Sequence, residues 1–135
     1  VRRLVTSLGL EDHVEFLGYR ARRDILELAR EADVLFFPSR VEACPFTFLE
    51  GMSEGAAIVS SCNPPMPEFG GDGAEYVDPE EPEKFGVAAL EILRSRDVRA
   101  DLKQKASARS LEFSWDSSAN NLMSCLQQAF RDHNL

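Results

Sequence analysis

Residues 34–37, Val-Leu-Phe-Phe, form an unbroken apolar run that Pro38 stops, with helical patterns on either side. A strand that is apolar at every position must be covered on both faces, as in a parallel sheet. The rest of the chain keeps the alternation. Residues 22–31 predict a helix with Ile25, Leu28 and Ala29 on one side. Residues 45–54 predict another, with Pro45 suited to its first position, Phe48, Leu49 and Met52 as its buried stripe and Gly55 at its end. A strand follows at 57–60, then a Pro- and Gly-rich loop at 63–73 and a short strand at 75–77. The helix at 82–94 presents Phe85, Ala88, Ala89, Ile92 and Leu93, and another helix covers 98–111. A last helix runs over 115–130, with Trp115, Ala119, Leu122, Leu126 and Phe130 in line. At the start, residues 2–8 read as the tail of a helix closed by Gly9, and 13–17 as a short strand ending at Gly18. A helix present only as its tail suggests a truncated chain. Such alternation implies βαβ units around a parallel sheet with helices on both faces. Ligands of such sheets bind at the carboxyl ends of strands, which directs attention to residues 18–20, 38–47 and 61–71.

The 135 residues suit one domain, with no internal repeat or linker, and 44% hydrophobic residues can build a core without metal or disulfides. A formal net charge of -8 argues against nucleic acid and against an anionic membrane surface as partners. It does not exclude a small anion held at a helix N-terminus. Cys44, Cys62 and Cys125 are odd in number and widely spaced, which argues for a reducing compartment. With only His13 and His133, no metal-site pattern arises. No signal peptide or membrane-length apolar run is visible.

The stretch from Pro38 to Glu50 concentrates the chemistry. A buried strand ends, a loop carries Glu42, and a helix begins near Pro45. The open N–H groups of Phe46 and Thr47, with the helix dipole, make a phosphate site, and Thr47 adds a hydroxyl. Thr47 and Glu50 are three apart and share a helix face. Two carboxylates flanking an anion site fit a ligand that also carries hydroxyls at both ends, since a carboxylate accepts two bonds from a vicinal diol. A nucleotide diphosphate sugar has that layout.

Glu42 and Glu50 are separated by seven residues, after Pro38-Ser39 and before Gly51-Met52 and Gly55. This resembles the Glu–seven residues–Glu motif of retaining GT-B glycosyltransferases, the group of glycogen and sucrose synthases. Leu8-Gly9-Leu10, the stretch from Val14 to Gly18, Ala32-Asp33-Val34, Pro65-Met66-Pro67-Glu68, Gly70-Gly71-Asp72, Asp78-Pro79 and Phe113-Ser114-Trp115 extend the resemblance, in order, over essentially the whole chain. It implies a Rossmann-like, three-layer α/β fold: the C-terminal, donor-binding half of a GT-B enzyme without its first strands, with residues 114–131 as its closing helix. Glu42 would hold hydroxyls of the donor sugar and is the catalytic residue, in an orienting role. Cys44, Phe46 and Thr47 would hold sugar and diphosphate, Glu50 the ribose diol, and Gly18, Tyr19 and Arg20 would border the base. The family keeps anomeric configuration, uses no metal or other cofactor, and works on the cytoplasmic side. Two motif positions depart from the usual glycine or serine: they hold Ala43 and Pro45, and Pro45 removes one N–H. The partner would be the acceptor-binding N-terminal half, through which any peripheral membrane association would run. In the family's strand order, 3-2-1-4-5-6, the strand at 13–17 would lack its neighbour, and the fragment alone would be inactive.

A second reading is a non-catalytic nucleotide- or phosphate-binding or interaction module derived from such a domain. A receiver domain would need an acidic cluster with a phosphorylatable Asp after an early strand, and the sequence has none. Read as ordinary structure, Glu54 is a solvated carboxylate, Cys44 and Cys62 are buried inert thiols, and His13 is an edge-strand residue. Arg22 and Arg23 read as a solvated helix start, and Trp115 and the phenylalanines as core.

Overall fold

The structure, a computed structural model, describes residues 1–132, so His133 lies outside the described residues. Helix α1 (Arg2–Ser7) ends before Gly9, whose φ of +65° suits glycine. Helix α2 (Arg22–Glu31) leads into β1 (Leu35–Phe37), and α3 (Phe46–Ser53) into β2 (Ile58–Ser61). The short helix α4 (Met66–Gly70) precedes β3 (Ala74–Val77), and α5 (Pro82–Arg94), α6 (Arg96–Ser110) and α7 (Trp115–Asp132) complete the chain. The three strands lie parallel in the order β1-β2-β3, with Leu35 opposite Ile58 and Ile58 opposite Ala74.

Because strand side chains alternate, the sheet has two apolar faces. Ala57, Val59 and Val77 pack with Phe85, Ala88 and Ile92 of α5 and Leu102 of α6. Ile58 and Ala74 pack with Phe48 and Met52 of α3 and Ala106 of α6. Leu102 and Ala106 are one turn apart, so α6 bridges both layers. A 3-10 turn (Gly71–Gly73) presses on it: a Cβ at Gly73 would lie 2.8 Å from the Ala106 Cα, so this approach needs glycine.

Several expectations are corrected. Residues 13–17 are not a strand. His13 ends a 3-10 turn (Glu11–His13), and residues 14–17 pair with no strand of the sheet. A strand persists only where a ladder partner takes its backbone groups, and none is in register here. The segment is held instead by contacts such as the Arg2 guanidinium over the Phe16 ring, 4.1 Å from its centroid. The loop at 63–73 contains α4, because fully buried Met66 anchors it. Arg109 of α6 caps α4, donating from Nε to the Phe69 carbonyl at 3.0 Å and from Nη2 to the Glu68 carbonyl at 2.8 Å. All three cysteines are exposed free thiols, not buried ones, since Cys44 and Cys62 sit in the loops just past β1 and β2. Trp115 is 79% exposed, and α7 buries no residue, leaving Leu122, Leu126 and Phe130 open. Phe48 and Phe85 are core, whereas Phe36, Phe46 and Phe130 are exposed.

Tyr76 of β3 points its hydroxyl at the Met66 carbonyl, 3.5 Å away, and burial pushes its phenol up to about 12 against the pull of Arg109. The unfolded phenol titrates near 10, so the fold prefers the neutral form. That preference stabilises the protein fully below about pH 10 and is lost between about pH 10 and 12. Urea midpoints measured across this range should fall less steeply for Tyr76→Phe than for the wild type. Parallel pH profiles would reject the assignment.

Candidate functional site

The loop that follows β1 is pinned by the end of β2 and by the loops that follow β2 and β3. Ser61, wholly buried at the end of β2, donates its hydroxyl to the Ser39 carbonyl at 2.6 Å. Asn63 Nδ2 donates to the Arg40 carbonyl at 3.1 Å, and Arg40 pairs with Glu80 at 3.1 Å. Within the loop, Ser39 Oγ donates to Glu42 Oε1 at 2.7 Å. Glu42, half-buried, is therefore held as a fixed carboxylate beyond the carboxyl end of β1.

Helix α3 begins where this loop ends. Pro45 is its N-cap and not its first helical residue as expected, so the helix starts one position later, and the proline side chain makes no cap bond. The Phe46 N–H is not open as expected: it donates to the Cys44 carbonyl at 2.9 Å. The first-turn amides of Thr47 and Phe48 have no intrahelical partner, but Phe48 is wholly buried, so exposed Thr47 presents the donor that the helix end offers. The helix then divides its residues by period. Phe48, Gly51 and Met52 face the core, while Phe46, Leu49, Glu50 and Ser53 recur at the spacing of one exposed stripe.

That stripe lines a cleft of about 330 Å³. Arg22 of α2 and Cys44 border it on one side, and Phe69, Phe113 and Trp115 on the other. Trp115 stacks on Phe46, with centroids 6.2 Å apart and ring planes at 30°. Glu50 accepts from Arg22 Nε at 2.6 Å, and its side chain is 26% exposed. Arg30 grips Glu54 through Nε at 2.8 Å and Nη2 at 2.6 Å, so Glu54 is paired and not simply solvated. Two charge pairs, Arg22–Glu50 and Arg30–Glu54, thus knit α2 to α3.

The predicted site residues separate into groups. Cys44, Phe46 and Glu50 share the cleft. Glu42 lies on the pinned loop outside it, and Thr47 is exposed in the first turn of α3 without lining it. Gly18, Tyr19 and Arg20 are exposed and do not line it either; Tyr19 is 95% exposed, and Arg20 Nη1 reaches only the Tyr19 carbonyl at 3.4 Å. Arg22, Trp115 and Phe113 were missed as cleft residues. The sequence signal for Arg22 was its place at a helix start near Glu50's helix; Trp115 and Phe113 gave none, because their neighbourhood depends on how α6 and α7 return. Among the described residues no group of three or more His, Cys, Asp or Glu is placed to hold a metal ion. No described helix is long and apolar enough to cross a membrane.

With this geometry in hand, comparison with known proteins is decisive. The family profile described as Glycosyl transferases group 1 matches residues 1–109. The chain belongs to that family. Mannosylfructose-phosphate synthase of Agrobacterium fabrum is 31% identical over 91% of this chain and 28% of its own length. D-inositol 3-phosphate glycosyltransferase of Corynebacterium kroppenstedtii is 28% identical over 95% of this chain and 29% of its own. The chain thus spans under a third of the length of these glycosyltransferases. Sucrose-phosphate synthase from Thermosynechococcus elongatus superposes on 97% of this chain with a TM-score of 0.86, at 21% identity and over 34% of its own chain. The Rossmann-like α/β fold of the GT-B glycosyltransferases is thereby established for this member of the family.

Proposed function

We propose that this domain is the donor-binding part of a retaining glycosyltransferase that moves a sugar from a nucleotide diphosphate sugar to a glycan, lipid or small-molecule acceptor. The acceptor would be bound by an N-terminal half of the same protein. One observation carries the reading: two carboxylates, Glu42 and Glu50, bracket the start of α3 at the carboxyl end of a parallel strand, where exposed Thr47 offers its amide to an anion. Glu42, held by Ser39, orients the sugar. Backbone groups from Cys44 to Thr47, with the Thr47 hydroxyl, meet sugar and diphosphate. Glu50 accepts the ribose diol, and Gly18, Tyr19 and Arg20 border the base. No metal is required, because helix amides and basic side chains balance the diphosphate charge. The reaction runs in the cytoplasm. The leaving phosphate takes the acceptor's proton, so no side chain of this domain acts as general base.

The Arg22–Glu50 pair does not oppose this assignment. Arg22 is 72% exposed, and exposed pairs contribute about 0–1 kcal/mol, less than a ribose diol bonded to a carboxylate at about 1.5–3 kcal/mol. Calorimetry of UDP, GDP and ADP on the full-length protein tests the role of Glu50. One nucleotide should bind, and Glu50→Ala should weaken it roughly ten- to a hundredfold. Folded protein that binds none of the three would remove the donor reading and favour an interaction module.

A further inference from the structure

Two serines tie the carboxyl ends of β1 and β2 to the Glu42 carboxylate. Ser61 is completely buried, and its hydroxyl donates to the Ser39 carbonyl at 2.6 Å. Ser39 then donates its own hydroxyl to Glu42 Oε1 at 2.7 Å. The same Oγ lies 3.3 Å from the Val41 carbonyl, a second and longer acceptor for its single proton. A hydroxyl bonded to a carboxylate is charge-assisted and directional. Here it freezes the rotamers of a glutamate that would otherwise be free on its loop, and leaves the acceptor capacity of Oε2 for a ligand hydroxyl.

We propose that Ser39 and Ser61 are positioning residues for the donor sugar: Ser61 fixes the backbone of Ser39, and the Ser39 hydroxyl fixes Glu42 in the orientation that receives the sugar. This rests on the donor-site reading above. The two serines act only through Glu42, so they govern recognition of the sugar and not of the nucleotide. A free carboxylate would have to be ordered when the sugar binds, at a cost to affinity; the serine chain orders it beforehand.

The test compares, by calorimetry on the full-length protein, the affinities of UDP-glucose with UDP, GDP-mannose with GDP, and ADP-glucose with ADP. The readout is the ratio of nucleotide-sugar affinity to nucleotide affinity for the pair that binds. Ser39→Ala should lower this ratio about five- to tenfold while nucleotide affinity is unchanged. Ser39→Thr, which keeps the hydroxyl, should restore it, and Ser61→Ala should act in the same direction as Ser39→Ala. Glu42→Ala is the reference. If Glu42→Ala lowers the ratio and both serine-to-alanine variants leave it alone, the positioning role is overturned while Glu42 keeps its place. If Ser39→Ala weakens nucleotide and nucleotide sugar equally, the serine is merely structural and the proposal also falls. An unchanged ratio in Glu42→Ala, or no binding of any pair to the wild type, removes the donor reading itself.

Discussion

Phe48→Ala is expected to remove about 3–5 kcal/mol of stability from this domain. The Phe48 ring is wholly buried and fills the joint where α3 meets the sheet. It meets Phe37 of β1 with centroids 5.5 Å apart, and its Cζ would lie 2.7 Å from a Cβ placed at Gly70. Glycine at 70 lets the ring sit directly against the α4 backbone. Domains of this size are stable by about 5–15 kcal/mol, so the loss is a large fraction of the total. A urea titration followed by far-UV circular dichroism gives the result directly. Val87→Ala, at a side chain 55% exposed on α5, should shift the midpoint little and serves as the control. Similar midpoints for the two variants would show that Phe48 does not pin α3.

Glu42→Ala should reduce transferase turnover by about 10²-fold or more in the full-length protein, with melting behaviour close to wild type. In the proposed function the carboxylate orients the sugar, and misplacing a reacting group by about 1 Å costs on that order. Glu42 has one bond to lose, from Ser39, on a loop held otherwise by backbone contacts to Ser61 and Asn63, so the fold survives the change. Glu42→Gln retains one acceptor oxygen and should fall between alanine and wild type. Turnover by Glu42→Ala within threefold of wild type would sink the catalytic assignment. Initial rates at saturating donor make the comparison, because they separate loss of orientation from loss of affinity.

Phe48 lies on α3 and Glu42 on the loop just before it. In α3, Phe48 and Met52 serve the core while Glu50 and its neighbours face the cleft. Damage to the first side is read in stability and to the second in binding, which allows fold and function to be separated experimentally.

Local pattern in the sequence was enough for the parallel sheet and most of the helices. The Val-Leu-Phe-Phe run, the stripe of Phe48 and Met52, and the glycine stops at Gly9 and Gly55 depend on neighbours within a few residues, and the structure keeps them, although the run forms an edge strand with Phe36 47% exposed and not the strand covered on both faces that the pattern predicts. The Glu42–Glu50 spacing around a helix start was legible for the same reason. What failed was non-local. Residues 14–17 carry strand-like side chains, yet a strand exists only through a partner's hydrogen bonds, and pairing is decided by the sheet as a whole. The pairing of Glu50 with Arg22 and of Glu54 with Arg30 arises because α2 comes to lie across α3, a contact between helices separated by a strand and a loop. The Phe46–Trp115 stack joins residues 69 apart. The sequence by itself determined the three parallel strands and most of the helices, and singled out Glu42 and Glu50 as the candidates for the chemistry. Only the tertiary structure decided which of those residues share a cleft, because that depends on how helices cross and return, and a linear pattern does not encode the crossing.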